Sequence, residues 1–354
     1  KEIKDSNGSG YYKKTDLKVG IITDEFMFNY YKDSLNLIYL SPVNYKEVID
    51  KEDIEFVLFV SCWHGMYGNE DYSGEIKRNT IIDIFHYAQD NKIPVVFQTI
   101  EDPTNYNVFL KIAKASDYIF TSDLSMIDRY KSDTGNDNVF YLGYGINPQF
   151  HNPIGSFIKR THKVFFAGSW NERYPKRCSD ISMLFDGVID SKKYDLIVAD
   201  RNMNINGYAY PEKYVKYLIP PVRHDLLQKV HKLFDYTLNV NTITHSPTMC
   251  AMRVYEVQAL GNLLISNYSL ASSNIFPGIF NIISSDEIDK ILNGYKENEI
   301  ISMELKGIRD VFTNYTVYDR LNFIFEKIGV KHRYTEKAVY VLYDKLTDNI
   351  RESF

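Results

Sequence analysis

From residue 17 onward the chain alternates short apolar runs with longer stretches whose apolar positions recur at helical spacing. LKVGIIT (17–23), LNLIYL (35–40), IEFVLFVS (54–61), IPVVFQT (93–99), YIFTS (118–122) and NVFYLG (138–143) read as strands. Runs that are apolar nearly throughout belong to strands covered on both faces, as in a parallel sheet. Between them, NTIIDIFHYAQDN (79–91), NVFLKIAKASD (107–117) and SMIDRYKS (125–132) carry helical spacing. Strand–helix alternation of this kind predicts a doubly wound parallel sheet.

The pattern then restarts. YGINPQFHNPIG (144–155) holds two prolines and two glycines and reads as an interdomain linker. KVFFAGS (163–169), YDLIVAD (194–200), YLIPP (217–221), YTLNV (236–240), NLLIS (262–266) and IFNIIS (279–284) follow as strands. HDLLQKVHKLF (224–234) and SPTMCAMRVYEVQAL (246–260) read as helices, and the chain beyond Asp286 reads as helical. The predicted fold is therefore α/β: two Rossmann-like, doubly wound parallel-sheet domains facing a cleft. The expected divisions are a linker or tail over 1–16, a first domain over 17–155, a second over 156–330, and a last helical segment over 331–354 that crosses back to the first domain. At 354 residues the chain has room for two cores of ordinary size.

Composition narrows the function classes. A formal net charge of −5 supplies no basic field for nucleic acid or an anionic membrane. Membrane contact is expected to be peripheral at most, because no apolar run approaches transmembrane length. Cys62, Cys178 and Cys250 are far apart without metal-type spacing, which fits a reducing compartment, so a cytoplasmic location, at the inner face of the membrane at most, is expected. A dinucleotide Gly-x-Gly-x-x-Gly, a phosphate-loop Gly-Lys-Ser/Thr, a Gly-x-Ser-x-Gly elbow and an Asp-x-Asp metal motif are all absent.

In a doubly wound fold, ligands sit at the carboxyl ends of the strands. Three loops there carry chemistry. In HSPTMCAMRVYEVQALGN (245–262), Ser246 and Pro247 predict a helix start and Gly261 its end. Ser246 and Thr248 would then lie at an anion-binding helix terminus. Arg253 and Glu256 share one helix face. Arg253 suits a phosphate and Glu256 a ribose diol; the alternative is that they pair with each other on a solvated face. In FFAGSWNERYPKR (165–177), Gly168 and Ser169 allow close backbone approach, and Arg173, Lys176 and Arg177 offer positive charge. In IPPVRHDLL (219–227), main-chain groups of Val222 and Arg223 lie where a nucleobase can be read. The first domain offers His64 in the aromatic loop SCWHGMYGNE (61–70), and Asp102 in TIEDPTNY (99–106), as acid–base candidates. A structural role in that loop is the alternative for His64, helix capping the alternative for Asp102, and capping is the reading of Asp24.

The order of these segments resembles the CgeB-type (spore-maturation-protein-like) glycosyltransferases, within the group-1 glycosyltransferases of GT-B fold. FQTIEDPTNYNVFLKIAKASDYIFTSD (97–123), NVFYLGYGINPQFHNP (138–153), KVFFAGSWNERYPKR (163–177) and RVYEVQALGNLLIS (253–266) carry the likeness, which runs through most of 17–285. The resemblance implies transfer of a sugar from a nucleotide-diphospho-sugar, uridine-based or related, bound mainly by the second domain. The acceptor would be a cell-envelope glycan, a polyol-phosphate polymer or a protein. Glu256 falls at the position that holds the ribose, and Arg253 and Arg173 would face the diphosphate. Many group-1 enzymes carry a further glutamate eight residues before the ribose-binding one; here that position is Thr248. No metal and no cofactor beyond the substrate are expected, because arginines and helix termini would neutralise the diphosphate. Two other readings share the architecture: a non-hydrolysing nucleotide-sugar epimerase, and a catalytically degenerate module that binds without turnover. A hinged two-domain binding protein is a third rival.

Overall fold

The computed structural model describes residues 12, 14–66, 70–156, 160–332 and 334. The first half runs β1 (Lys18–Ile22), α1 (Glu25–Tyr31), β2 (Asn36–Tyr39), α2 (Tyr45–Lys51), β3 (Phe56–Val60), α3 (Glu75–Asp90), β4 (Val95–Thr99), α4 (Tyr106–Lys114), β5 (Tyr118–Thr121), α5 (Ile127–Thr134) and β6 (Val139–Tyr141). The second runs β7 (Thr161–Gly168), α6 (Pro175–Ser191), β8 (Asp195–Asp200), α7 (Glu212–Val215), β9 (Leu218–Ile219), α8 (His224–His231), β10 (Phe234–Asn239), α9 (Arg253–Ala259), β11 (Leu263–Asn267), α10 (Leu270–Ile275), β12 (Phe280–Ile282), α11 (Asp286–Gly294), α12 (Glu297–Asn314) and α13 (Val317–Ile328).

Two six-stranded sheets result, in the orders β2-β1-β3-β4-β5-β6 and β12-β11-β10-β7-β8-β9, and every pairing is parallel. The doubly wound α/β architecture read from the sequence is the observed one. The apolar strands are explained by their two covered faces. In β3, Val57 and Phe59 enter one core with Phe85 of α3 and Phe109 of α4. Phe56, Leu58 and Val60 enter another with Met27 and Tyr31 of α1 and Leu321 and Phe325 of α13.

α13 thus packs under the first sheet although it follows the second in sequence. Its ends are set locally: Thr316 and Asp319 form a capping box, and Gly329 closes it with φ +77°. The chain passes between the two halves twice, near Ile146 and near Thr316. The two passages bond to each other, Ile146 N–H to Tyr315 O at 2.8 Å and Val317 N–H to Ile146 O at 2.7 Å. The helix expected over 331–354 lies almost wholly outside the described residues. No described helix is long and apolar enough to cross a membrane.

Candidate functional site

Each sheet reverses its winding once. In the second sheet the reversal falls between β7 and β10, and the crevice beyond their carboxyl ends is where this topology receives a ligand. A cavity of about 780 Å³ opens there. Gly168 and Ser169 after β7, Asn239 to Asn241 after β10, and Ile100 to Asp102 after β4 of the first sheet all line it. Gly168 is required on packing grounds: a Cβ would stand 2.7 Å from the Phe166 ring.

Three guanidinium groups converge on this cavity. Arg177 stands in the first turn of α6 and donates to Ser169 O at 2.6 Å. Arg201 directly follows β8, and its N–H donates to Gly168 O at 2.9 Å. Arg253 opens α9 with its guanidinium 5.7 Å from the Phe166 ring centroid. Among the described residues no carboxylate oxygen lies within 4 Å of any of the three. Burial brings Arg253 down to about 10; Glu256 opposes this, while Arg201 and Arg177 push in the same direction as burial. Burial lowers Arg177 as well. Arg177 and Arg253 are half-buried and Arg201 is exposed; like charges gathered at a crevice with no carboxylate in contact, among the described residues, favour a bound anion.

Glu256 lies one turn along α9 from Arg253 and also lines the cavity. The two do not pair within 4 Å, so the solvated-pair alternative is not what the structure holds. Burial raises the Glu256 carboxyl to about 7, against the pull of Arg253. Its Oε1 stands 3.6 Å from Nε2 of His151, whose burial pushes it down to about 3 and keeps the imidazole neutral.

Of the residues singled out from the sequence, Asp102, Gly168, Ser169, Arg177, Val222, Arg253 and Glu256 meet in the cavity. The others stand elsewhere. His64 is exposed on the loop after β3, with Nδ1 3.9 Å from Asp71. Arg173 lies beside the Tyr174 ring, 5.9 Å to its centroid. Lys176 is engaged by Asp180. Arg223 forks onto Asp225 at 3.0 and 2.6 Å. The helix predicted from Ser246 begins instead at Arg253. Ser246 Oγ accepts from the N–H groups of Thr248 and Met249, so it caps a turn and not the helix. Thr248 Oγ1 accepts from Leu124 N–H of the first domain at 2.9 Å, outside the cavity lining. Asp24 caps α1 through Met27 N–H, as its place before a helix predicts.

Asp102 departs from the capping alternative. It caps no helix: Thr121 Oγ1 donates to one carboxylate oxygen at 2.6 Å and Tyr130 OH to the other at 3.0 Å, and the residue is buried. Burial lifts it to about 6, with both hydrogen bonds opposing. A carboxyl raised on folding is protonated in the native state where the unfolded chain, near 4, has already ionised. The stability contributed by this group therefore falls as pH rises from about 4 to about 6. Asp102→Asn should flatten that part of the pH dependence in urea unfolding; a slope equal to wild type contradicts the assignment.

Sequence reading missed Arg201 and Glu101. Arg201 follows directly on a strand's carboxyl end, which is a usable signal. Glu101 sits one place before Asp102, in the same loop, and nothing local separates the two.

No family model matches the chain, and no curated protein matches it. Solved structures do. One is the DNA-modifying enzyme β-glucosyltransferase, determined in the presence and absence of the substrate uridine diphosphoglucose: 13% identity, TM-score 0.55, covering 89% of this chain and 100% of that one. Another is Anabaena Alr3699/HepE in complex with UDP: 9% identity, TM-score 0.52, covering 88% and 99%. A third is a putative UDP-N-acetylglucosamine 2-epimerase from Listeria monocytogenes: 12% identity, TM-score 0.51, covering 92% and 100%. At such identities the likeness speaks for the fold. The fold is GT-B. Within this GT-B frame the cavity lies between the carboxyl ends of both sheets, with the cation cluster on the second-domain side and Glu101 and Asp102 on the first.

Proposed function

We propose that the chain is a glycosyltransferase that uses a nucleotide-diphospho-sugar. One observation carries the reading: Arg177, Arg201 and Arg253 converge, without carboxylate partners within 4 Å among the described residues, at the reversal point of the second sheet. A diphosphate supplies the missing negative charge and takes bidentate donors well. Glu256 would accept from the ribose hydroxyls, and the main chain near Val222 would read the base. The guanidinium groups would stabilise the leaving diphosphate in place of a metal ion. The acceptor is proposed to be a cell-envelope glycan, a polyol-phosphate polymer or a protein, on the strength of the CgeB-type sequence motifs. The proposed place of work is the cytoplasm.

Incubation with uridine, guanosine and thymidine diphospho-sugars in EDTA, with candidate acceptors, tests this. Release of nucleoside diphosphate with a new glycoside is the expected result. An isomerised donor without net transfer identifies an epimerase instead, which the Listeria likeness makes the specific rival. Neither product, and no thermal stabilisation by any nucleotide, means a degenerate module.

A further inference from the structure

Among the described residues, the carboxylates that line the cavity are Glu101, Asp102 and Glu256. They are not equivalent. Both oxygens of Asp102 accept from side chains behind the cavity wall, Thr121 and Tyr130. Glu256 belongs to the second-domain side, next to Arg253 and His151. Thr248 accepts from Leu124 N–H and lies outside the cavity lining. That leaves Glu101, on the loop after β4, facing the cation cluster from the first domain. Asn105 Nδ2 donates to its Oε2 at 2.6 Å, which fixes the carboxylate from one side. Among the described residues no Lys, Arg or His lies within 4 Å of it to neutralise its charge.

We propose that Glu101 is the catalytic base of this cleft, accepting the proton of the acceptor hydroxyl. The inference rests on the glycosyl-transfer reading above. As the proton moves to Glu101, the acceptor oxygen bonds to the anomeric carbon. The bond from that carbon to the diphosphate oxygen breaks, and its electron pair leaves on the nucleoside diphosphate beside Arg177, Arg201 and Arg253. A single displacement of this kind inverts the anomeric centre. The surroundings of Glu101 suit a base. Burial raises its carboxyl above the ordinary range, with hydrogen bonds from Asn105 and Trp63 opposing and Asp24 adding to the rise. A base shifted toward neutrality takes a hydroxyl proton more readily.

Glu101→Gln keeps the size and the Asn105 contact, so the fold and donor site should persist. The first readout is the rise in melting temperature on adding UDP, GDP or dTDP. The second is release of nucleoside diphosphate from the matching glucose conjugate in aqueous methanol, where water and methanol serve as acceptors. The variant should bind as wild type does and turn over roughly 100-fold or more slowly, the usual range for a lost general base. The wild-type methyl glycoside should have the opposite anomeric configuration to the donor. Turnover by Glu101→Gln within about threefold of wild type overturns the assignment, as does a retained anomeric configuration. A wild type that binds a diphosphate yet turns over no conjugate overturns it too. Failure of every nucleotide to bind wild type is a different result: it removes the donor-site reading itself.

Discussion

Arg253→Ala should weaken nucleoside diphosphate binding by roughly 30- to 150-fold, the equivalent of about 2–3 kcal/mol. Charge-assisted, bidentate contacts to a poorly solvated anion are among the strongest single contributions a side chain makes. Arg253 opens α9, lines the cavity and, among the described residues, has no carboxylate within 4 Å, so its charge is available to a ligand. The accompanying stability change separates this role from a structural one. Burial disfavours the Arg253 charge in the free protein, Glu256 attracts it, and Arg201 and Arg177 repel it. Removing it relieves burial and repulsion and gives up the Glu256 attraction, so the ligand-free melting temperature should change little. A loss of apo stability together with unchanged diphosphate affinity assigns Arg253 to packing on Phe166 instead. Arg253→Lys should recover only part of the affinity, because an ammonium cannot fork onto two phosphate oxygens.

The second large effect concerns the return crossing. Phe325 of α13 is fully buried with Val19, Ile21, Leu58 and Val96 of the first sheet, its ring 6.2 Å from that of Phe56. Phe325→Ala leaves a cavity in a core built from residues some 300 positions apart in sequence. Truncations of this kind cost about 3–5 kcal/mol. The urea midpoint of the transition that reports the first sheet should fall accordingly. A shift below about 1 kcal/mol contradicts tight docking of α13. Because the same helix joins the two halves, diphosphate binding near the transition should weaken with it.

Much of the fold was legible because its strands are covered on both faces. β3 and β4 are buried at every position, and a short uninterrupted apolar run between turn signals is what such a strand requires. The site was legible only where one segment carries it. Gly168 and Ser169 end a strand, and Arg253 and Glu256 share one helix face, so local spacing sufficed. Ser246 shows where local chemistry misleads. Its hydroxyl does accept from backbone N–H groups two and three residues on, as a capping serine does. Tertiary bonds then hold the following residues out of the helix: Thr248 to Leu124, and Ala251 N–H to Asn241 Oδ1 at 2.8 Å. Asp102 and Glu101 illustrate the same limit. Both line the cavity, and which of them has its two oxygens engaged behind the wall depends on Thr121 and Tyr130, 19 and 28 residues beyond Asp102. Arg201 becomes a neighbour of Arg253 only through the pairing of β8 with β7 and of β7 with β10.

The measurement that tests the central claim most directly is calorimetric titration of the full chain with UDP, GDP and dTDP in EDTA. Saturable binding of at least one of them at one site is predicted, with Kd in the micromolar range, at about −8 kcal/mol or somewhat weaker. That binding should weaken as salt is raised, because three arginines supply it. Saturation by none of the three, with or without added Mg²⁺, contradicts a nucleoside diphosphate site at Arg177, Arg201 and Arg253. Saturation only once Mg²⁺ is present contradicts the claim that the guanidinium groups suffice.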